Sequence, residues 1–250
     1  YTLAKAHWRL MKYEDYYTWQ EEVPGFGKEG QEKLHESTAL ISRVGGLGGP
    51  LAFSLAAAGV GRIILAHGGE LRPDDLNRQI LMKHEGLGKA RHEQAAETLQ
   101  RFNPDLEIES LGENISEANA SDLVGKADIV FSCAPLFEER LLMNREAMRQ
   151  GKFFVDGAMC SMEGHVLAVE PGRSTCLACL IKEPPAYWKR RFPVIGAVSA
   201  MVAQIAVLEG IKLLTRFAEP ALDRLIHVDT LTMRMKKVRV LRDRSCPHCS

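Results

Sequence analysis

The chain has 250 residues, 46% hydrophobic and 26% charged, which supplies apolar content for one substantial core and excludes a disordered polymer. Its 32 basic residues balance 32 acidic ones, so no net field steers it towards nucleic acid or an anionic membrane surface. The opening residues lack an apolar stretch followed by a small-residue cleavage site. The apolar run Val194 to Leu208, interrupted by Ser199 and Gln204, falls short of the roughly 20 residues that span a bilayer and predicts a buried helix. With cysteines grouped in C-x-x-C pairs, these features point to a reducing, cytoplasmic setting.

Along the chain, short apolar strands alternate with helical patterns, the mark of crossover units and a mostly parallel sheet. "ALIS" reads as the first strand, and the helix from near Gly48 stops at Gly59. "RIILAH" is a second strand, "ARHEQAAETLQRFN" a helix, "LEIESL" a third strand and "SEANASDLV" a short helix. "ADIVFSC" is a fully apolar strand, and the helix through "FEERLLMNREAMRQG" ends on Gly151. After "KFFVDGAM" the pattern turns to "GHVLAVEPG", which reads as antiparallel extension of the parallel half. A long helix, "VIGAVSAMVAQIAVLEGIKLL", then precedes two closing strands, "LIHVDTL" and "KVRVLRD".

Between the first strand and its helix stands "SRVGGLGGP". Such a strand, glycine turn and helix build a cradle whose backbone amides face a phosphate. Gly45, Gly46 and Gly48 are in place, but Arg43 occupies the position of the first glycine. The turn therefore requires Arg43 to tolerate the backbone angles a glycine adopts freely. Its guanidinium either enters the phosphate space or turns to solvent.

"CLAC" at Cys176–Cys179 and "CPHC" at Cys246–Cys249 carry the clearest chemical signal from spacing. Two such pairs supply four thiolates, the complete tetrahedral set of a structural zinc ion with no position left for water. The site would clip the C-terminal tail to the loop before the long helix. Cys133 and Cys160 end strands and read as packed thiols.

Across nearly its whole length the chain resembles the ThiF/MoeB/HesA group of ubiquitin-activating-like adenylyltransferases. The resemblance rests on "PGFGKEGQEKL", "GGLGGPLAFSLAAAGVGRIIL", "LNRQIL", "EGHVLAVEPGRSTCLACL" and "AVLEGIKLL", in that order. It implies a Rossmann-like α/β fold in a single domain: an N-terminal helical segment to residue 34, a nucleotide-binding-type half over 35–170 and a zinc-clipped half over 171–250. It also implies a dimer, with itself or with a relative. Such a protein uses ATP and magnesium to activate the C-terminal carboxylate of a small ubiquitin-like sulfur carrier.

Measured against that implied chemistry, the chain departs at several positions. The acid expected to hold the ribose falls on His67, and the second acid of that segment on Gly69. The magnesium aspartate and following asparagine fall on Pro135 and Leu136, neither of which ligates a metal. A lysine is replaced by Arg91, and the arginine implied to reach the partner subunit by Trp19. Asn77, Arg78 and Gln79 match, while Asp75 replaces an asparagine. Asp74 and Asp75 read as a solvated turn, with Glu70 and this pair as the alternative metal carboxylates. Arg78, Arg91 and Asp75 remain the catalytic candidates.

The segment "IKEPPAYWKRRFP" has no cysteine for thiol transfer. Its Tyr187 and Trp188 could grip an extended tail whose carboxylate meets Lys189, Arg190 and Arg191. The departures together predict a divergent member impaired in ATP-dependent adenylation that works by binding, with the alternative of an active adenylyltransferase of rearranged nucleotide site that activates the carboxylate of a ubiquitin-like sulfur carrier or of a small molecule.

Overall fold

The computed structural model describes residues 16–186, 188 and 190–249. The first fifteen residues of the expected N-terminal segment, Tyr187 and Lys189 lie outside the described residues. Helices α1 (Thr18–Glu21) and α2 (Gly27–Glu36) lead into β1 (Thr38–Ser42), α3 (Gly48–Ala58), β2 (Arg62–Ala66), α4 (Arg91–Phe102) and β3 (Glu107–Leu111). Next come α5 (Ala120–Gly125), β4 (Ile129–Ser132), α6 (Phe137–Gln150), β5 (Phe153–Cys160) and β6 (Glu163–Val169). Helices α7 (Leu177–Leu180) and α8 (Gly196–Thr215) precede β7 (Arg224–Asp229) and β8 (Arg234–Arg239).

The strands form one sheet of eight in the order β3-β2-β1-β4-β5-β6-β7-β8. The first five run parallel, and β6, β7 and β8 add antiparallel neighbours, as the change of pattern after "KFFVDGAM" predicts. Period-two alternation sorts side chains to the two faces. Ala39, Ile41, Ile63 and Leu65 join the core under α2, α3, α4 and α8, whereas Leu40 and Ile64 join the core under α5, α6 and α7. Order reverses at β1, whose neighbours β2 and β4 lead in opposite directions. The crevice beyond the carboxyl ends of β1 and β4 is where such a sheet accepts a ligand.

Helices α3 and α6 end at Gly59 and Gly151, both left-handed, as expected of glycine stops. Helix α8 runs on past the apolar stretch to twenty residues, and by length and composition it could cross a bilayer, contrary to the sequence expectation. Here it lies on the sheet, with Val198, Val202, Ala203, Ala206 and Leu213 buried. Its stop is Arg216, left-handed at φ 61°. The cost of that conformation is offset by two charge-assisted bonds to Glu170 at 2.7 and 2.9 Å and by stacking over Phe153.

Candidate functional site

The crevice is a cleft of about 830 Å³. At its base the glycine turn forms with Arg43 at φ 58°, where a non-glycine residue costs roughly 1–2 kcal/mol. Gly48 cannot be replaced, because a Cβ there would stand 2.5 Å from the Arg43 carbonyl oxygen. Gly45 and Gly46 line the cleft, the latter covered by the Arg78 side chain. The Arg43 guanidinium neither fills the phosphate space alone nor turns to solvent. It pairs bidentately with Glu139 in the first turn of α6, at 3.1 Å from Nε to Oε1 and 2.6 Å from Nη2 to Oε2. Both side chains are buried.

Beyond β2 the chain passes His67 and enters the loop that carries Asp74 to Gln79. The expected solvated acid pair is corrected here: Asp74 is exposed, but Asp75 is buried. It accepts from Arg91 at 2.6 and 3.2 Å, from Arg78 at 3.2 Å and from the Arg72 amide at 3.1 Å. Burial acts to raise the Asp75 carboxyl, and the bonds from Arg91 and Arg72 hold it below its usual range. Asp75 thus fixes Arg78 and Arg91 in the cleft and has no face left for a metal. Asn77 is exposed and accepts from Arg78 at 2.9 Å. His67 and Gln79 are both buried and line the cleft, with His67 Nδ1 and Gln79 Oε1 having no hydrogen-bond partner among the described residues. Glu70 is exposed on the strand-like bridge to Ala90. Trp19 stands exposed on α1.

Past β4, Pro135 lines the cleft and its carbonyl accepts from Trp188 Nε1 at 2.7 Å. Trp188 packs between Phe137 and Phe192, so it closes over the Pro135 segment. Arg190 and Arg191 reach the cleft as well. A group the sequence reading missed lies at one end: Arg140 of α6 pairs with Asp156 of β5 at 2.9 and 2.6 Å, both fully buried. Arg140 also donates to His165 Nε2 at 3.2 Å, which leaves the ring proton on Nδ1. Cys133 is half-buried, and desolvation with Asp156 and Glu139 nearby pushes its thiol well above its usual range, which disfavours the reactive thiolate.

Seven arginines therefore reach one cleft: Arg43 from the turn, Arg72 and Arg78 from the loop, Arg91 from α4, Arg140 from α6, and Arg190 and Arg191 from the crossover loop. The buried carboxylates among them are all committed, Asp75 to Arg91, Glu139 to Arg43 and Asp156 to Arg140. Magnesium requires carboxylate oxygens that are free to ligate it. Of the carboxylates that line the cleft, Asp74 alone is exposed and free of a buried arginine, and it stands on the loop after β2, not at position 135 where the resemblance places the metal ligand.

Burial, with Arg91 and Arg43 close by, lowers His67 to a pKa of about 3, and burial lowers His165 to about 4. Both rings are neutral in the fold at pH 7, while in the unfolded chain histidine titrates near about 6.5. The unfolded state takes up protons first as pH falls, so stability is full above that value and is lost towards the native pKa values. The urea midpoint should fall between about pH 6.5 and 4.5, each histidine contributing at most about 1.4 kcal/mol per pH unit. His67→Asn should flatten that limb, and an unchanged slope would mean the native ring is charged.

At the far end of the fold, Cys176, Cys179, Cys246 and Cys249 bring their sulfurs within 4.8 Å of one another. The cross-pair distances are 3.6 Å for Cys176–Cys246 and 3.3 Å for Cys179–Cys249. A tetrahedral zinc with bonds of about 2.3 Å separates its sulfurs by about 3.8 Å, so the cluster fits that ion. Asn144 accepts from the Leu177 amide at 2.9 Å and steadies the first arm.

Fold and site together define a Rossmann-type α/β protein with a phosphate-cradle turn, an arginine-lined cleft and a four-cysteine knuckle. The profile of the ThiF family matches residues 17–248, and the chain belongs to that family. It is 45% identical over 93% of its length to the protein HesA, heterocyst, of Trichormus variabilis, covering 87% of that protein. It is 30% identical over 94% of its length to the sulfur carrier protein adenylyltransferase of Thermus thermophilus, covering 90% of it. Among solved structures, E. coli MccB with MccA-N7isoASN superposes with a TM-score of 0.80 at 22% identity, over 90% of this chain and 72% of that one, a likeness of fold.

Proposed function

We propose that this ThiF-family protein binds an anionic ligand in its cleft and has lost ordinary magnesium-dependent adenylation. It would act as a dimeric binding or scaffold protein, with itself or with an active relative, in a sulfur-carrier or cofactor-biosynthesis setting. The observation that carries this reading is the commitment of Asp75, Glu139 and Asp156 to arginines. A carboxylate held bidentately by a buried guanidinium cannot turn to a metal without stranding that charge, a cost of several kcal/mol. The four-cysteine cluster is assigned to structural zinc, which keeps the crossover segment and tail in place in a reducing compartment.

The partner chemistry follows the relatives. The Thermus protein is named for a sulfur carrier, and MccB has been solved with ATP. A flexible tail ending in a carboxylate would meet Arg190 and Arg191 at the cleft mouth. Trp188 serves as a wall of that path, held by its bond to Pro135.

A second reading, an active adenylyltransferase with a rearranged site, is favoured by the surplus of arginines and by the free Nδ1 of His67 and Oε1 of Gln79. Calorimetric titration with magnesium and ATP separates the two. The zinc-loaded protein should give no micromolar binding, whereas a variant carrying Arg43→Gly, Glu139→Gln, His67→Asp and Pro135→Asp should gain it. Micromolar binding by the unmodified protein, with carrier-dependent release of pyrophosphate, would establish the second reading instead.

A further inference from the structure

A second recess, of about 520 Å³, shares no lining residue with the cleft and is built from segments 172–175, 222–224 and 239–242. Four arginines line it. Arg173 is answered by Glu170 at 3.1 Å. Arg224 donates to the Asp223 carbonyl at 3.0 Å and Arg242 to the Ser174 carbonyl at 2.9 Å, contacts that position the groups without neutralising them. Among the described residues, no carboxylate lies within ion-pair distance of Arg224, Arg239 or Arg242. The one acid in the lining, Asp223, is engaged by the Thr175 amide at 2.7 Å.

Guanidinium groups that line one recess with no carboxylate answering them repel one another. An oxyanion relieves that repulsion. We propose that this recess binds a small phosphorylated anion, with Arg224, Arg239 and Arg242 on its phosphate oxygens. A phosphate suits the place better than a carboxylate, because it carries up to two charges and three terminal oxygens for donors that come from separate segments. The recess is larger than a lone phosphate needs and within the range of small-ligand sites, so it has room for an organic substituent. Thr175 directly precedes Cys176, and Arg242 lies on the approach to Cys246. A ligand here would hold together the stems of both cysteine arms.

Hydrogen exchange of the zinc-loaded full chain, with and without millimolar pyrophosphate, tests this site apart from the cleft. Pyrophosphate should slow exchange at 172–175 and 239–242. Arg239→Ala, at an exposed position whose side chain has no ion-pair partner among the described residues, should fold normally and weaken pyrophosphate by about tenfold. Arg242→Ala should weaken it too, while Arg78→Ala in the cleft should leave this protection unchanged. Protection confined to the cleft, or equal affinity in Arg239→Ala, would overturn the proposal. Repeating the titration with AMP distinguishes the source of the phosphate: tighter binding than pyrophosphate indicates a nucleotide, equal or weaker binding a free phosphate anion.

Discussion

Asp156→Ala should destabilise the protein by about 3–5 kcal/mol, the cost of leaving a buried partner charge uncompensated. The Arg140 guanidinium is 2% exposed, bonded twice to Asp156, and has only neutral His165 and the Phe137 ring as other neighbours of note. Burial acts to raise the Asp156 carboxyl, and Arg140 brings it below its usual range, so the pair is ionised throughout the neutral region. For a chain of this size each kcal/mol moves the melting temperature by about 2–4 °C, which predicts a drop of roughly 6–20 °C. The double variant Arg140→Met, Asp156→Val should recover most of the loss, because replacing both partners removes the buried charge itself. A single variant that melts within a degree of the parent would show that water reaches Arg140.

Removal of the metal should have an effect of similar size. Cys176 and Cys246 are buried in the core layer that also holds Leu177 and Val240, and the two arms are some seventy residues apart. A cross-link over such a loop stabilises by about 4 kcal/mol on chain-entropy reasoning, and zinc adds its own binding free energy. The purified protein should contain one zinc per chain. Chelation, or Cys246→Ser, should release the tail beyond β8, expose the thiols to alkylation and lower the urea midpoint. A metal-free protein with an unchanged midpoint and protected thiols would refute the assignment.

Strands and helices were readable in the sequence wherever one physical rule decided them. Continuous apolar runs set β1, β2 and β4, glycine in the left-handed region set the ends of α3 and α6, and paired thiolates three residues apart announced the cysteine cluster. What was hidden depends on partners distant in sequence. Arg43 finds Glu139, ninety-six residues on, and nothing in the glycine turn points there. Asp75 is buried because Arg91 comes back over it from α4, so two adjacent acids read as solvated when one is a structural clamp. The stop of α8 at Arg216 was equally hidden, since its support is Glu170 at the end of β6. "FEER" in the first turn of α6 was the available signal for both Glu139 and Arg140, an acid and a base facing a strand that carries Asp156.

The Arg43–Glu139 pair also constrains how this sequence can change. Glycine at position 43 would relieve the left-handed strain but abandon a buried carboxylate, and a neutral residue at position 139 would abandon a buried guanidinium. Each single replacement passes through a less stable protein, although the double replacement need not be less stable than the parent. The two positions are therefore epistatic, and the route back to a glycine-led cradle runs across a fitness valley. The phosphate turn and the first turn of α6 must move as one mutational unit, which makes the altered cleft easier to keep than to reverse.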